Sequence, residues 1–412
     1  MIKITKKWYL ILSIVVLCGI GVICWKLFTT FIHKKPIKIG ILHSLSGYLA
    51  LSEQPVADAA LLAIKEINDA GGVLGRKIEG LLVDGKSDEN VFATEAQRLI
   101  TEEKVAAIFG CWSSPSRIAV KNVVEKYNSL LFYPVQFEGI ENSPHIVYTS
   151  NTPNQQIIPG VTWCIQHLGK VFFLVGSDPI LHAIIRDTVF AYGGKVVGEE
   201  FLALGDIHVD QIVDKIISAK PDVILNDIEG EPNTTFFNKL REKGITPEKI
   251  PSMSFSVSEP ELNAFKADSM TGDYAIWSYF QSIDNRENKI FIKKMQTAYG
   301  KKHDIGDAME AAYSSIYFWK QAVEKAQSTA TDLVSAALHN QALDAPQGLI
   351  HIAENSLQAW QCVRVGKIRS DKQFTILWSS EKAIKPIPYP PTRTIAEWDK
   401  LRLDLSEKEK KK

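Results

Sequence analysis

The stretch Phe109-Gly110-Cys111-Trp112-Ser113-Ser114-Pro115-Ser116-Arg117 decides how the chain is read. It continues a short apolar run, Val105 to Phe109, that has the character of a buried strand, and it opens into small, aromatic and hydrogen-bonding residues. Ser followed by Pro is an ordinary helix start, so strand, loop and helix follow one another within a few residues. Leu130 to Phe132 repeats the pattern and opens into Tyr133-Pro134-Val135-Gln136-Phe137-Glu138-Gly139. In open α/β sheets the crevice beyond the carboxyl ends of the strands is where small molecules bind, so these two loops are expected to face one crevice.

The same grammar runs outward in both directions. Upstream, Ile37 to Leu42 reads as a strand, with a helix after Pro55 whose apolar positions Val56, Ala60, Ile64 and Ile67 recur at three and four residues. Ile78 to Val83 reads as the next strand and Phe92 to Ile100 as a helix. A second series starts near Thr149, with strands at Val171 to Val175, Lys195 to Phe201 and Val223 to Asn226 separated by helices. Strands joined by helices of this length pair in parallel through right-handed crossovers, which predicts two doubly wound lobes. From Gly272 the pattern loosens into helices over Glu287 to Tyr299, Met309 to Ala326 and Asp332 to Leu338, then strands over Gly348 to Ile352, Trp360 to Val365 and Phe374 to Trp378. The Pro- and Lys-rich tail from Lys382 is expected to be an exposed strap or disordered.

Composition narrows the function classes. A chain of 412 residues is too long for one ordinary core, and zero formal net charge without a basic stripe argues against nucleic acid as a partner. Of five cysteines, Cys18 and Cys24 fall in the first apolar segment, while Cys111, Cys164 and Cys362 are far apart, so neither a disulfide framework nor a metal spacing follows. Lys3, Lys6 and Lys7 precede the uncharged run Trp8 to Trp25, which is just long enough to span a bilayer. The positive flank places everything after this run outside the cytoplasm, in the periplasm or at the cell surface. Residues 1–35 read as a membrane anchor or signal segment with a linker: the absence of an A-x-A pattern before Phe31 points to an uncleaved anchor over residues 8–25, with cleavage or lipidation as the alternative.

No catalytic residue, cofactor or metal is assigned. The chain has no G-x-S-x-G elbow, Walker A loop, H-E-x-x-H pair or G-x-G-x-x-G placed after a strand. The expected ligand-binding residues are Trp112, Ser113, Ser114, Tyr133 and Gln136 on one lobe, and Ser177, Asp178 and Asn226 on the other. Trp112 offers an apolar plane and the serines offer hydroxyl partners, which suits a small flat polar molecule, although Ser113 or Ser114 also reads as a cap before Pro115. Arg117 reads as a structural ion-pair partner, and a lone His43 as structural. Glu53, Asp178 and Glu229 are candidates for acidic groups at the cleft, where they would favour a cationic ligand.

These residues carry a family resemblance. Gly40-Ile41-Leu42-His43-Ser44-Leu45-Ser46-Gly47, Phe109-Gly110-Cys111-Trp112, Leu131-Phe132-Tyr133-Pro134-Val135-Gln136-Phe137-Glu138-Gly139, Pro153-Asn154-Gln155-Gln156, Phe173-Leu174-Val175-Gly176-Ser177-Asp178, Tyr279-Phe280-Gln281-Ser282 and Asp344-Ala345-Pro346-Gln347-Gly348 resemble type I periplasmic solute-binding proteins of the urea, amide and branched-chain amino-acid class, most closely urea-binding proteins of ABC importers. The resemblance implies an α/β fold of two lobes joined by three crossings, with residues 36–150 plus 264–343 as lobe one, 151–263 plus 344–390 as lobe two, and 391–412 as a charged tail. It implies that Trp112, Ser114 and Tyr133 contact a small amide, that urea, a short amide or an amino acid is the ligand, and that a membrane permease is the partner. The alternatives are an anchored sensor ectodomain for a signalling partner and branched-chain amino-acid binding. One loop departs from the pattern: Asp178-Pro179-Ile180-Leu181-His182-Ala183 replaces an aromatic-rich stretch and is shorter.

Overall fold

A computed structural model describes residues 35–203, 205–264, 268–300 and 304–409, with side chains through residue 405. The expected anchor over Trp8 to Trp25, with Cys18 and Cys24, lies outside the described residues. None of the described helices is long and apolar enough to cross a membrane.

The first series comprises β1 (Ile37–His43), α1 (Ala50–Asp69), β2 (Ile78–Asp84), α2 (Glu89–Thr101), β3 (Ile108–Gly110), α3 (Ser114–Lys126), β4 (Leu131–Tyr133) and β5 (Ile146–Tyr148). Its strands form a parallel sheet in the order β2-β1-β3-β4-β5, with Gly40 opposite Ile108 and Phe132 opposite Val147. Helix α1 begins at Ala50, a turn before Pro55, because the Ser52 and Glu53 amides already bond to the Leu49 carbonyl. The short strand β5 carries no turn signal of its own, and the sequence reading passes over it.

The second series comprises α4 (Pro153–His167), β6 (Val171–Gly176), α5 (Pro179–Ala191), β7 (Lys195–Phe201), α6 (Asp210–Ala219), β8 (Val223–Asp227), α7 (Pro232–Glu242), β9 (Ser252–Ser254), α8 (Glu259–Ala264) and β10 (Tyr274–Trp277). The chain closes with α9 (Arg286–Tyr299), α10 (Asp307–Ala326), α11 (Thr331–Leu338), β11 (Ala342–Ala345), β12 (Gly348–Ile352), β13 (Ala359–Trp360), β14 (Arg364–Ile368), β15 (Phe374–Ser379) and α12 (Ile395–Glu409). Seven strands form the second sheet in the order β15-β14-β10-β9-β8-β6-β7, parallel from β7 to β10 and antiparallel beyond it.

Three expected boundaries move. Tyr274–Trp277 pairs with β9 and β14, so the second lobe extends past residue 264 to Trp277. Strands β11 to β13 form a small antiparallel sheet whose Ala345, Ile350, Ile352 and Ala359 join the core of α1 and α10, so residues 344–360 belong with the first lobe. The expected single strand Trp360 to Val365 is two strands in two sheets, because the chain crosses between lobes at 361–363. The tail is no loose strap either. Trp398 of α12 is fully buried among α4 and α5 residues, and Ile384 bridges Gln361.

The three crossings meet in a buried polar cluster. Ser150 Oγ donates to Asp307 Oδ2 at 2.7 Å, the Tyr279 amide donates to Asp307 Oδ1 at 2.9 Å, and Gln361 Nε2 donates to the Thr149 carbonyl at 3.2 Å. Ser278 Oγ donates to Asn151, and Arg364 to the Ser278 carbonyl. These bonds tie neighbouring crossings to one another.

Candidate functional site

In each sheet the order of connection reverses once. In the first it reverses between β1 and β3, in the second between β6 and β8, and such points open a crevice at the carboxyl ends of the strands. The crevice ends are His43 and Gly110 in lobe one, Gly176 and Asp227 in lobe two. Both glycines are required by contact. A Cβ on Gly110 would lie 1.9 Å from the Leu42 carbonyl oxygen, and one on Gly176 would lie 1.7 Å from Asp227 Oδ1. Cys111 next to Gly110 is held at φ 68°, a left-handed conformation that costs a non-glycine residue roughly 1–2 kcal/mol. Strain of this kind persists where the surroundings over-determine a loop, and here it aims Trp112 out of the strand end.

The sequence-predicted residues of lobe one come together around that loop. Trp112 is half-buried against both faces of the first lobe's core. Ser113 caps α3 through the Ser116 amide. The Ser114 hydroxyl donates to Glu138 Oε2 at 2.6 Å, and Arg117 donates back to Ser114 at 3.0 Å. Tyr133 is buried and spends its hydroxyl on the Trp112 carbonyl at 2.5 Å. Gln136 is half-buried at the rim. Glu53 is fully buried, accepts from the Ser44 amide at 2.9 Å and pairs with His43 at 3.1 Å, while its Oε1 has no partner. His43 thus spends its Nδ1 on Glu53.

Arg117 is the keystone of this rim. It reaches Glu138 Oε1 at 2.7 Å and Glu141 Oε1 at 3.1 Å, and its guanidinium lies over the rings of Tyr133 and Phe137. Burial works against its charge, but Glu138 and Glu141 outweigh that and hold it protonated.

On lobe two, Asp178 caps α5 by accepting from the Ile180 and Leu181 amides, and Ser177 Oγ accepts from the Glu229 amide at 3.4 Å. Asn226 is enclosed: it donates to Asn233 and Ser254 and accepts from Ile228, so its amide group is wholly used in positioning β9 and α7. Sequence reading takes the run Asn226 to Gly230 after β8 as rim without singling out Asp227, and passes over His182. His182 Nε2 lies 2.8 Å from Asp227 Oδ1 and its Nδ1 3.3 Å from Glu199, with the Phe201 ring against it. The unusual sequence after Asp178 was the available signal, because it puts a histidine one turn into α5.

The two rims share an electrostatic field. Burial first, then Glu138 across the cleft and Asp227 beside it, push the Asp178 carboxyl up to about 7. Burial, Asp178, Asp227 and Glu138 push Glu229 up to about 8, and burial first, then Glu229, raises Tyr48 in the loop after β1. Burial disfavours the His182 imidazolium, but Asp227 and Glu199 prevail and hold it up to about 9.

Each of these shifts makes the free protein less stable as pH rises. The His182 contribution is complete below its ordinary value of 6.5 and is lost towards 9, while Asp178 and Glu229 cost stability as they ionise between about 4 and 8. The melting temperature is expected to fall between pH 6 and pH 9, with a smaller fall in His182→Gln. Calorimetric scans checking this would contradict it with a flat or rising profile.

A cavity of about 530 Å³ lined by Val197, Gly198, Lys215 and Ser218 lies at the outer edge of lobe two, away from the facing strand ends. The rims, not that hollow, carry the converging polar groups.

Two doubly wound lobes on three crossings, with switch points facing one another, define a two-lobed α/β binding protein. The family model of the periplasmic binding protein domain matches residues 37–394, and the chain belongs to that family. It is 27% identical over 303 residues to a Leu/Ile/Val-binding protein homolog of Brucella abortus, covering 68% of this chain and 73% of that one. A solute binding protein of an ABC transporter from Rhodopseudomonas palustris, solved with 3,4-dihydroxybenzoic acid, superposes with TM-score 0.77 at 22% identity, covering 87% of this chain and 99% of the other. A stretch of 123 residues is 37% identical to a Geobacillus stearothermophilus protein called limonene hydroxylase. That match spans 30% of this chain and only 22% of the other protein, too little of either to carry an activity across.

Proposed function

We propose that this protein is the extracytoplasmic solute-binding subunit of an ABC importer, held at the membrane by residues 8–25, that closes its two lobes on a small polar solute and presents the closed form to a permease. The observation that carries the reading is the pair of facing rims: polar strand ends from both lobes converge on one cleft, and hinge motion at the three crossings would close it.

Urea or a short amide is the solute suggested by the motifs around Trp112, Ser114 and Tyr133. The Tyr133 hydroxyl is spent on the Trp112 carbonyl and the Ser114 hydroxyl on Glu138, both inside lobe one, which leaves Trp112 and Gln136 for contact from that side. A thermal-shift panel of urea, acetamide, formamide and leucine tests the assignment. Stabilisation by urea or an amide supports it; stabilisation by leucine alone replaces it with the ligand class in the name of the Brucella relative.

Trp112→Ala is expected to weaken solute binding at least tenfold, about 1.4 kcal/mol or more, while leaving the melting temperature near that of the parent. Calorimetry showing unchanged affinity would assign Trp112 to the core.

A further inference from the structure

Resting on the solute-binding reading, we propose that the cleft selects a small planar organic cation of the guanidinium or amidinium class, the charged counterpart of urea and the amides.

The argument begins with Asp227, 2% exposed at the carboxyl end of β8. Its carboxylate lies across Gly176 at the end of β6, where an added Cβ would stand 2.5 Å from Oδ2, so it sits beside the strand end from which the Ser177-Asp178 rim continues, with Oδ1 on His182. Oδ2 has no hydrogen-bond partner. A buried carboxylate oxygen without a donor is costly, and a donor-only ligand at the rim relieves that cost.

Charge around it points the same way. Asp178 and Glu229 flank Asp227 on lobe two, and Glu138, 6% exposed, faces them from lobe one. The nearby cations answer only part of this charge: Arg117 is shared between Glu138 and Glu141, and His182 between Asp227 Oδ1 and Glu199, which leaves Asp227 Oδ2, Asp178 and Glu229 to a ligand. Among the described residues no ion pair reaches Asp178 or Glu229. Burial first, and then the like charges around them, displace both carboxyls upward, and a bound cation opposes that displacement.

A guanidinium or amidinium group has only donors, matches carboxylate acceptors two at a time, and stacks on an aromatic face such as Trp112. An anion such as a benzoate meets repulsion from every carboxylate named.

Titration calorimetry of the full-length protein at pH 8 and constant ionic strength tests this, with millimolar guanidinium, methylguanidine and acetamidine set against urea, acetamide, leucine and benzoate. The cations are expected to bind at least tenfold more tightly than urea. Affinity is expected to fall at least tenfold at pH 6, as Asp178 and Glu229 take up protons within the field of Glu138, Asp227, Tyr48, His182 and Glu199, and to fall similarly in Asp227→Asn. Because Asp227→Asn also breaks the His182 pair, Glu229→Gln serves as the second variant, with the same loss expected. If urea, an amide or leucine binds and no cation does, the cationic class is overturned and the solute-binding reading stands. If no probe binds at either pH, both are overturned.

Discussion

Replacing Arg117 by alanine is expected to destabilise the protein by about 3–5 kcal/mol, because it leaves buried carboxylates without their counter-ion. Arg117 is 1% exposed and its two partners are nearly as enclosed, Glu138 at 6% and Glu141 at 5%. Lys121 remains on Glu141 at 2.7 Å, but no other cation reaches Glu138 among the described residues. Arg117→Lys should recover only part of the loss, since a single ammonium cannot serve Ser114, Glu138 and Glu141 at once while lying flat over Tyr133 and Phe137. The check is thermal unfolding of both variants. A loss below about 1 kcal/mol would mean that the rim is not braced by this residue.

Trp398→Ala has a comparable expected cost, about 3–5 kcal/mol, from emptying a fully buried indole site. The indole packs in the core of lobe two, donates to the Pro390 carbonyl at 2.8 Å and lies under Arg393, which itself pairs with Asp187 of α5. The effect should spread beyond lobe two. Pro388 accepts from the Ile140 amide at 2.7 Å, and Asn154 holds the Lys385 carbonyl and the Ile387 amide, so the segment from 384 to 390 links the loop carrying Glu138 to the start of α4. Hydrogen exchange at the Ile140 amide should therefore accelerate in the variant. Unchanged stability together with unchanged exchange would show the C-terminal helix to be an appendage. The family match ends at residue 394, just before this helix begins at Ile395.

How much of this was legible in the sequence depends on the range over which each signal acts. The alternation of apolar strand and amphipathic helix is local, so β1, β6 and β7 fall where their apolar runs lie and the two-lobed α/β class follows. Strand β5 was missed because Ile146–Tyr148 becomes a strand only by pairing with β4, a contact that three apolar residues do not advertise. The assignment of β11 to β13 to lobe one, and the burial of Trp398, depend on packing between segments far apart in the chain.

The site divides in the same way. Trp112 and the Ser113 cap stand out because aromatic and capping residues at a strand end are unusual locally. The commitment of Ser114 and Tyr133 to partners inside lobe one, and the enclosure of Asn226, depend on Glu138, on the Trp112 carbonyl and on Asn233, which no spacing rule brings together. Asp227 lies in the run Asn226 to Gly230 that the sequence offers as rim, and the sheet register that places it beside Gly176 is what singles it out from its neighbours.

The central claim, closure of two lobes about a hinge on a solute, is tested most directly by a distance. Spin labels at Lys86→Cys and Glu231→Cys would sit on exposed loops flanking the cleft, one on each lobe. Pulsed dipolar spectroscopy of the full-length protein, with and without the solute that calorimetry identifies, should show one distribution moving to shorter distance when the solute is bound. Identical distributions at saturating solute would contradict the account.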